Sequence, residues 1–421
     1  MWHRIVGRCL AGLVAGAAVG CGGESAQPPM RFGVLLDQHG GLADFSRDMA
    51  DALVLAAEEI NRGGGLLGRE LTLQIENDGG TPAGAVRAYT TLIAGDVAAV
   101  IGPIHSAGVI ALAGQIRNGQ TITLSGTVTS PEIATMDDDG YFFRTVPSDT
   151  VQGIVLADQI VEQGREHVCI VYREESYGQG LYQAVVANLP ETVVVTPSGY
   201  DPALPAADLP AVMDPCEPMR GEANPAVVFI TYLDDGRYIM QTAADLGWTA
   251  VAPDGKKQIF LVDANKADQL FQAMSPAQRA AFVSAIGTAS TGADAARYEP
   301  RAAFETRFKD KYGYVSVVDA PNHYDALYLA AAAIQSAGSL DDRPAIARAM
   351  ASTATGADVE AGDWAAIAAT IDTYRQCNYQ GASGPVDLDV NGELRPPYYV
   401  TLWTVDEAGH VVDTSTVTIN R

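Results

Sequence analysis

From residue 31 onward the chain alternates short apolar runs with stretches of helical period, and this rhythm limits the possible folds more than any other feature. The run FGVLL at 32–36 is followed by Met49, Leu53, Ala56, Ala57 and Ile60 within 45–61. Recurrence every three to four residues turns one helix face toward a core. The glycines at 63–65 stop that helix. Leu71, Leu73 and Ile75 then alternate as a strand, before a helix at 83–94, a strand at 97–101, a helix at 107–117 and a strand at 121–124. Repeated strand–helix units imply a parallel sheet with helices on both faces.

Near 141–148 the rhythm restarts. Helix 151–163, strand 168–172, helix 178–188 and strand 192–195 come first, then strand 226–230, helix 236–246, strand 258–262 and a strand at 282–286. A Pro-rich insertion with two short helical turns occupies 200–224. After Gly287 come helices at 300–312, 322–337 and 343–351, and the chain closes on β sequence at 398–405 and 411–419 around a turn at 407–409. About 400 residues exceed what one core usually serves. The expected architecture is therefore α/β: two doubly wound parallel-sheet lobes joined by a multi-crossover hinge. The expected division is 31–146 plus 288–384 for lobe 1 and 147–287 plus 385–421 for lobe 2. A ligand site is expected in the cleft, beyond the carboxyl ends of the strands.

The first residues carry an address. His3, Arg4 and Arg8 precede an apolar stretch at 9–20, ending at Cys21. A basic start, a short apolar core and small residues describe an export signal, too short for a spanning helix. The segment AVGC at 18–21 resembles a bacterial lipobox, although Leu is usual where Ala18 stands. A lipoprotein-type signal over 1–21 is expected, with Cys21 lipidated as the first mature residue and 22–30 as a flexible leash. An ordinary secretory signal cut near Cys21 is the alternative. Either places the protein on the periplasmic side of a bacterial cell envelope, and lipidation would tether it to a membrane.

Charge excludes some partners. With 51 acidic against 27 basic residues the formal net charge is −24, which repels nucleic acid and anionic lipid surfaces. Membrane association is expected through the lipid alone, and the mature protein is expected to be a monomer. Cys169, within an apolar strand, reads as a buried hydrophobe. Cys216 and Cys377 lie in loop-like sequence and are the candidates for a disulfide, bonded or free. No Cys/His spacing suggests a metal, and no cofactor is expected.

Several motifs yield to plainer readings. Gly63-x-Gly65-x-x-Gly68 has the letters of a dinucleotide fingerprint but follows a helix and precedes a strand, so it reads as a helix stop and turn. Asp387-x-Asp389-x-Asn391-Gly392 imitates a calcium loop without its closing Glu and reads as a tight β-turn. No HExxH, GxSxG or Walker sequence occurs, and the histidines are scattered. His105 and Ser106 are neighbours without a third orienting group, so an enzyme is not expected. Ser106 reads instead as the N-cap of the following helix, whose free N–H groups suit a carboxylate.

With these residues in view, the chain resembles the type 1 periplasmic binding proteins, in particular the branched-chain (Leu/Ile/Val) amino-acid receptors of ABC importers. The likeness runs from about Phe32 to Val405. It rests on INRGGGLLGR at 60–69, VIGP at 100–103, LSGTVTSP at 124–131, YFFRT at 141–145, SYGQG at 176–180 and YDA at 324–326. The resemblance implies that Ser106 binds a ligand α-carboxylate and that Thr127, through its backbone, and the Thr129 hydroxyl also bind ligand. It implies cleft residues at Tyr177, Phe45 and Tyr232 (or Leu233, one residue on), and Asp263 pairing with the α-ammonium where Glu is common. The implied function is an extracytoplasmic solute-binding lipoprotein that captures an amino acid, or a related amide or carboxylate, by hinged closure and delivers it to a permease. The alternative is the same fold used as a lipid-anchored sensory or envelope-regulatory interaction protein without a transport role.

Overall fold

The computed structural model describes residues 27–316 and 319–420. The export signal expected at 1–21, its Cys21 and residues 22–26 of the leash lie outside the described residues. The first half of the chain forms β1 (Met30–Leu36), α1 (Ala43–Arg62), β2 (Leu71–Asn77), α2 (Pro82–Ala94), β3 (Ala99–Ile101), α3 (Ser106–Gly119), β4 (Thr123–Ser125) and β5 (Phe142–Arg144). Next come α4 (Asp149–Glu162), β6 (His167–Arg173), α5 (Ser176–Asn188), β7 (Val194–Tyr200), β8 (Pro225–Ile230), α6 (Leu233–Asp245), β9 (Ile259–Leu261), α7 (Asp268–Gln272), α8 (Pro276–Ala280) and β10 (Ile286–Thr291). The remainder gives α9 (Glu299–Tyr312), α10 (Ala320–Ala337), α11 (Arg343–Ala349), β11 (Asp358–Glu360), α12 (Trp364–Tyr374), β12 (Asn378–Gln380), β13 (Tyr398–Val405) and β14 (Val411–Ile419).

Two large sheets result. The first, in order β2-β1-β3-β4-β5, is parallel throughout. The second, in order β14-β13-β10-β9-β8-β6-β7, is parallel from β7 to β10 and antiparallel at β13 and β14. Strands covered on both faces need apolar side chains on both, and β1 reads MRFGVLL with only Arg31 exposed. The helices α1 and α10 cover the first sheet. Residues 320–336 of α10 are all buried, so its polar groups must find partners inside. Asn322 and Thr145 exchange hydrogen bonds at 2.7 Å in both directions. Asp325 accepts from the Tyr379 hydroxyl, the Ala382 and Ser383 amides and the Ser383 hydroxyl, folding the 379–383 turn against α10. Glu59 of α1, also buried, is held by Arg307, Tyr324 and Tyr328.

The Gly-rich motif is the helix stop and turn that its context implied. Gly65 has φ +77, and a Cβ there would lie 2.2 Å from the Arg69 carbonyl oxygen. The Asp387–Gly392 segment is a turn as well: the Asp389 carboxylate accepts from the amides of Asn391 and Glu393, and Gly392 has φ +77.

Two expectations are corrected. No strand forms at 282–286, because Ser284 takes φ +70 and Phe282 closes a turn with Arg279. The strand is β10, starting at Ile286, where Gly287 lies against the Trp403 indole so closely that a Cβ would meet the ring at 2.0 Å. Cys216 does not pair with Cys377; it is bonded to Cys169. The insertion after β7 folds back as a 3₁₀ segment (Leu209–Cys216) onto the outer face of the second sheet, in the cluster holding Cys169, Met213, Phe229 and Trp403. Cys377 is buried in the other core, its amide bonded to the Ser352 carbonyl.

Candidate functional site

The turns that follow β3 and β4 carry one wall of a cavity, and those after β6, β8 and β9 carry the opposite wall. It is bordered by Leu42, Phe45, Met49, Ile104, His105, Ser106, Thr127, Tyr177, Tyr232, Asp263, Ala264 and Asp319. The position is the one doubly wound sheets favour, beyond the carboxyl ends of parallel strands.

On the first wall α3 opens at Ser106. The expected cap is corrected: His105 is the N-cap, its Nδ1 accepting from the Gly108 amide at 3.0 Å. The imidazole proton then sits on Nε2, facing Asp78 at 3.5 Å. With the cap taken by His105, the Ser106 hydroxyl turns to the loop after β4 and accepts from the Ser130 amide at 3.3 Å. The Thr127 hydroxyl donates to the Ile104 carbonyl, which locks the two turns together. The start of a long helix leaves N–H groups and partial positive charge at this wall.

The second wall is acidic and aromatic. Tyr177, in the first turn of α5, donates its hydroxyl to Asp263 Oδ1 at 2.6 Å. Gln152 of α4 donates to the same oxygen at 3.3 Å and to Thr288. Tyr232 stacks on Tyr177 with ring centroids 5.6 Å apart. Arg173 lies 4.0 Å over the Tyr232 ring and pairs with Asp235, which in turn accepts from the Tyr232 amide. Tyr232, not Leu233, is thus the aromatic that borders the cavity.

Burial pushes the Asp263 carboxyl up, against the lowering pull of the Tyr177 and Gln152 hydrogen bonds. Behind it lies Asp149, fully buried, raised well above the carboxylate range by burial and by the Asp263 charge. The Tyr177 phenol is raised for the same two reasons, burial first. Two carboxylates this close share a preference for a cation or a proton between them.

Of the residues singled out from sequence, Phe45, Ser106, Thr127, Tyr177, Tyr232 and Asp263 border one cavity. Thr129 does not border it: it is buried behind the wall, its carbonyl accepting the Asp149 amide at 2.8 Å. Sequence reasoning missed Asp319, which directly precedes α10, and Asp149 and Gln152 at the start of α4. Asp149 follows a Ser at a helix start, where an acid is ordinary dipole complement, so nothing in sequence set it apart. Among the described residues no group of His, Cys, Asp and Glu is arranged to hold a metal, and no helix is long and apolar enough to cross a membrane.

The comparisons agree with this architecture. The model of the family described as receptor family ligand binding region matches residues 48–406. Leu/Ile/Val-binding protein homolog 3 of Brucella melitensis is 24% identical over 337 residues, covering 78% of this chain and 84% of that protein. The chemotactic signal transduction system substrate-binding protein BasB of Halobacterium salinarum is 28% identical over 376 residues, covering 86% and 84%. Among solved structures, the leucine binding protein LivK of Thermotoga maritima superposes with a TM-score of 0.73 at 21% identity, covering 92% of this chain and 98% of that one. LivJ of Streptococcus pneumoniae, solved with isoleucine, gives 0.73 at 17% identity, covering 94% and 100%. The chain belongs to the receptor ligand-binding-region family, with the type 1 periplasmic binding protein fold of the branched-chain amino-acid receptors, and is a binding protein and not an enzyme.

Proposed function

We propose that this protein is the extracytoplasmic solute receptor of an ABC importer and that its ligand is an α-amino acid. One observation carries the reading: a helix N-terminus with Ser106 and an Asp263–Tyr177 pair border the same apolar-walled cavity. The first suits a carboxylate and the second an ammonium, while Phe45 and Tyr232 supply apolar surface. Relatives named as Leu/Ile/Val-binding and a neighbour solved with isoleucine support an amino acid. Closure of the two lobes on the ligand is favoured to the extent that contacts improve in the closed state. Cys21 would anchor the receptor, and a separate permease would take the ligand.

Titration calorimetry against the amino acids tests the ligand reading. Saturable one-to-one binding is expected, lost in Asp263→Asn and weakened in Ser106→Ala. Absence of binding to every amino acid would sink the reading. Fractionation of Cys21→Ser cells tests the anchor, with release from the membrane fraction expected.

A further inference from the structure

Arg173, the last residue of β6, meets two carboxylates that do the same work on two helices. Glu175 is the N-cap of α5 and accepts from the Tyr177 and Gly178 amides, each at 3.0 Å. Asp235, in the first turn of α6, accepts from the Tyr232 amide at 3.0 Å. Each carboxylate therefore fixes the start of a helix that brings a tyrosine to the cavity. The Arg173 guanidinium pairs with Asp235, comes within 3.8 Å of Glu175 through Nε and covers the Tyr232 ring at 4.0 Å. The side chains are largely buried, 13% exposed for Arg173, 16% for Glu175 and 7% for Asp235. Among the described residues no other basic side chain pairs with either acid, so both helix starts depend on one cation. The backbone is close as well: a Cβ on Gly178 would lie 2.2 Å from the Arg173 carbonyl oxygen. Arg173 itself is not among the residues that border the cavity.

We propose that Arg173 is a positioning residue of the ligand site: by holding the carboxylates that start α5 and α6, it sets Tyr177 and Tyr232 against each other at the cavity, independently of ligand. This rests on the ligand reading above. Tyr177 in turn donates to Asp263, so the chain of contacts from Arg173 reaches the carboxylate assigned to the ligand ammonium. A wall ordered in advance spares the ligand the entropic cost of ordering it. Lysine is a poor substitute, because a compact point charge cannot lie flat on a ring and serve two carboxylates at once.

Hydrogen exchange read at single amides of the full chain, without ligand, compares wild type with Arg173→Lys and Arg173→Met. Exchange at Tyr177, Gly178 and Tyr232 is expected to quicken about tenfold in Arg173→Lys and further in Arg173→Met, while amides of β9 and of the first sheet keep their rates. Unchanged rates at those three amides in Arg173→Lys, or a rise spread evenly over the second sheet, would overturn the inference. The lysine variant keeps the charge and decides even where Arg173→Met does not fold. Calorimetry with L-leucine and L-isoleucine reads the consequence for binding. Arg173→Lys is expected to weaken binding roughly fivefold in the wild-type background and clearly less in Tyr232→Leu, because residues that act through one another are not additive. An equal loss in both backgrounds would also overturn the positioning role. Binding of neither probe by the wild type bears on the amino-acid reading alone, and the exchange pattern still decides the role of Arg173.

Discussion

The Tyr177 hydroxyl donates to Asp263 Oδ1 at 2.6 Å and, with the longer bond from Gln152 to the same oxygen, holds the orientation of the carboxylate on which the proposed ligand ammonium depends. A hydrogen bond to a charged acceptor contributes about 1.5–3 kcal/mol. Tyr177→Phe keeps the ring stacked on Tyr232 and removes only that bond. Ligand affinity is expected to fall roughly ten- to a hundredfold, and because the bond forms without ligand the unliganded protein is expected to lose about 1.5–3 kcal/mol of stability as well. Calorimetry and a melting curve on the same sample check it; an unaltered affinity would remove Tyr177 from the binding machinery.

Arg144 ties the end of the first sheet to the returning chain. Its fully buried guanidinium donates to the Val128 and Ser130 carbonyls and pairs with Glu393. Removing one partner of a buried pair costs about 3–5 kcal/mol. Arg144→Leu should lower unfolding free energy by that order in urea titration. Glu393→Gln, which keeps an acceptor at a partly exposed position, should cost far less.

Two neighbours on α10 titrate in opposite senses. Burial holds the His323 imidazole down at about 4. The folded state therefore prefers neutral His323, and that contribution is complete above the unfolded value near 6.5 and lost as pH falls toward 4. Burial lifts the Asp325 carboxyl to about 6 against its hydrogen bonds. The folded state is thus favoured by protonated Asp325, a contribution complete below about 4 and lost as pH rises through 6. The two nearly cancel in the wild type, so variants must separate them. The stability advantage of wild type over His323→Gln should shrink by about 3 kcal/mol from pH 7 to pH 4. The advantage over Asp325→Asn should change by a similar amount with the opposite sign. Urea titrations at both pH values supply the four numbers.

The disulfide joins residues 47 apart in sequence, and closing such a loop in the unfolded chain corresponds to about 4 kcal/mol of stability. The Cys169→Ala/Cys216→Ala double variant should melt several degrees lower. Burial pushes the Cys377 thiol up to about 11, so alkylation there should require denaturant. Peptide mapping under non-reducing conditions should find 169 linked to 216; a 216–377 link would contradict the fold.

The strand–helix rhythm was legible because covered strands are apolar on both faces and helices on one, and this pattern survives without tertiary information. Asp263 and Tyr177 were placed at the cleft through a resemblance, and both border the cavity. Other features depend on facts no local window contains. Ser106 looked like a cap, but the His105 ring had the better reach to the Gly108 amide. Cys169 looked inert, because its partner arrives in an insertion that folds back over the sheet. Asp319 sits at an ordinary helix start, and only the meeting of α10 with the turn after β9 brings it to the cavity. Thr129, matched to a ligand position, is turned inward beside Asp149.

The pairing of β10 with β13 also bears on how the protein is made. Until Tyr398–Val405 leaves the ribosome, β10 has a neighbour on one side only. The whole segment 292–397 must pass before the second arrives, and an unpaired sheet edge is a template for another chain. The lobe that holds the disulfide is thus the last to be sealed. Chains halted before Tyr398 should accumulate as aggregates, even though every residue bordering the cavity has already been synthesised.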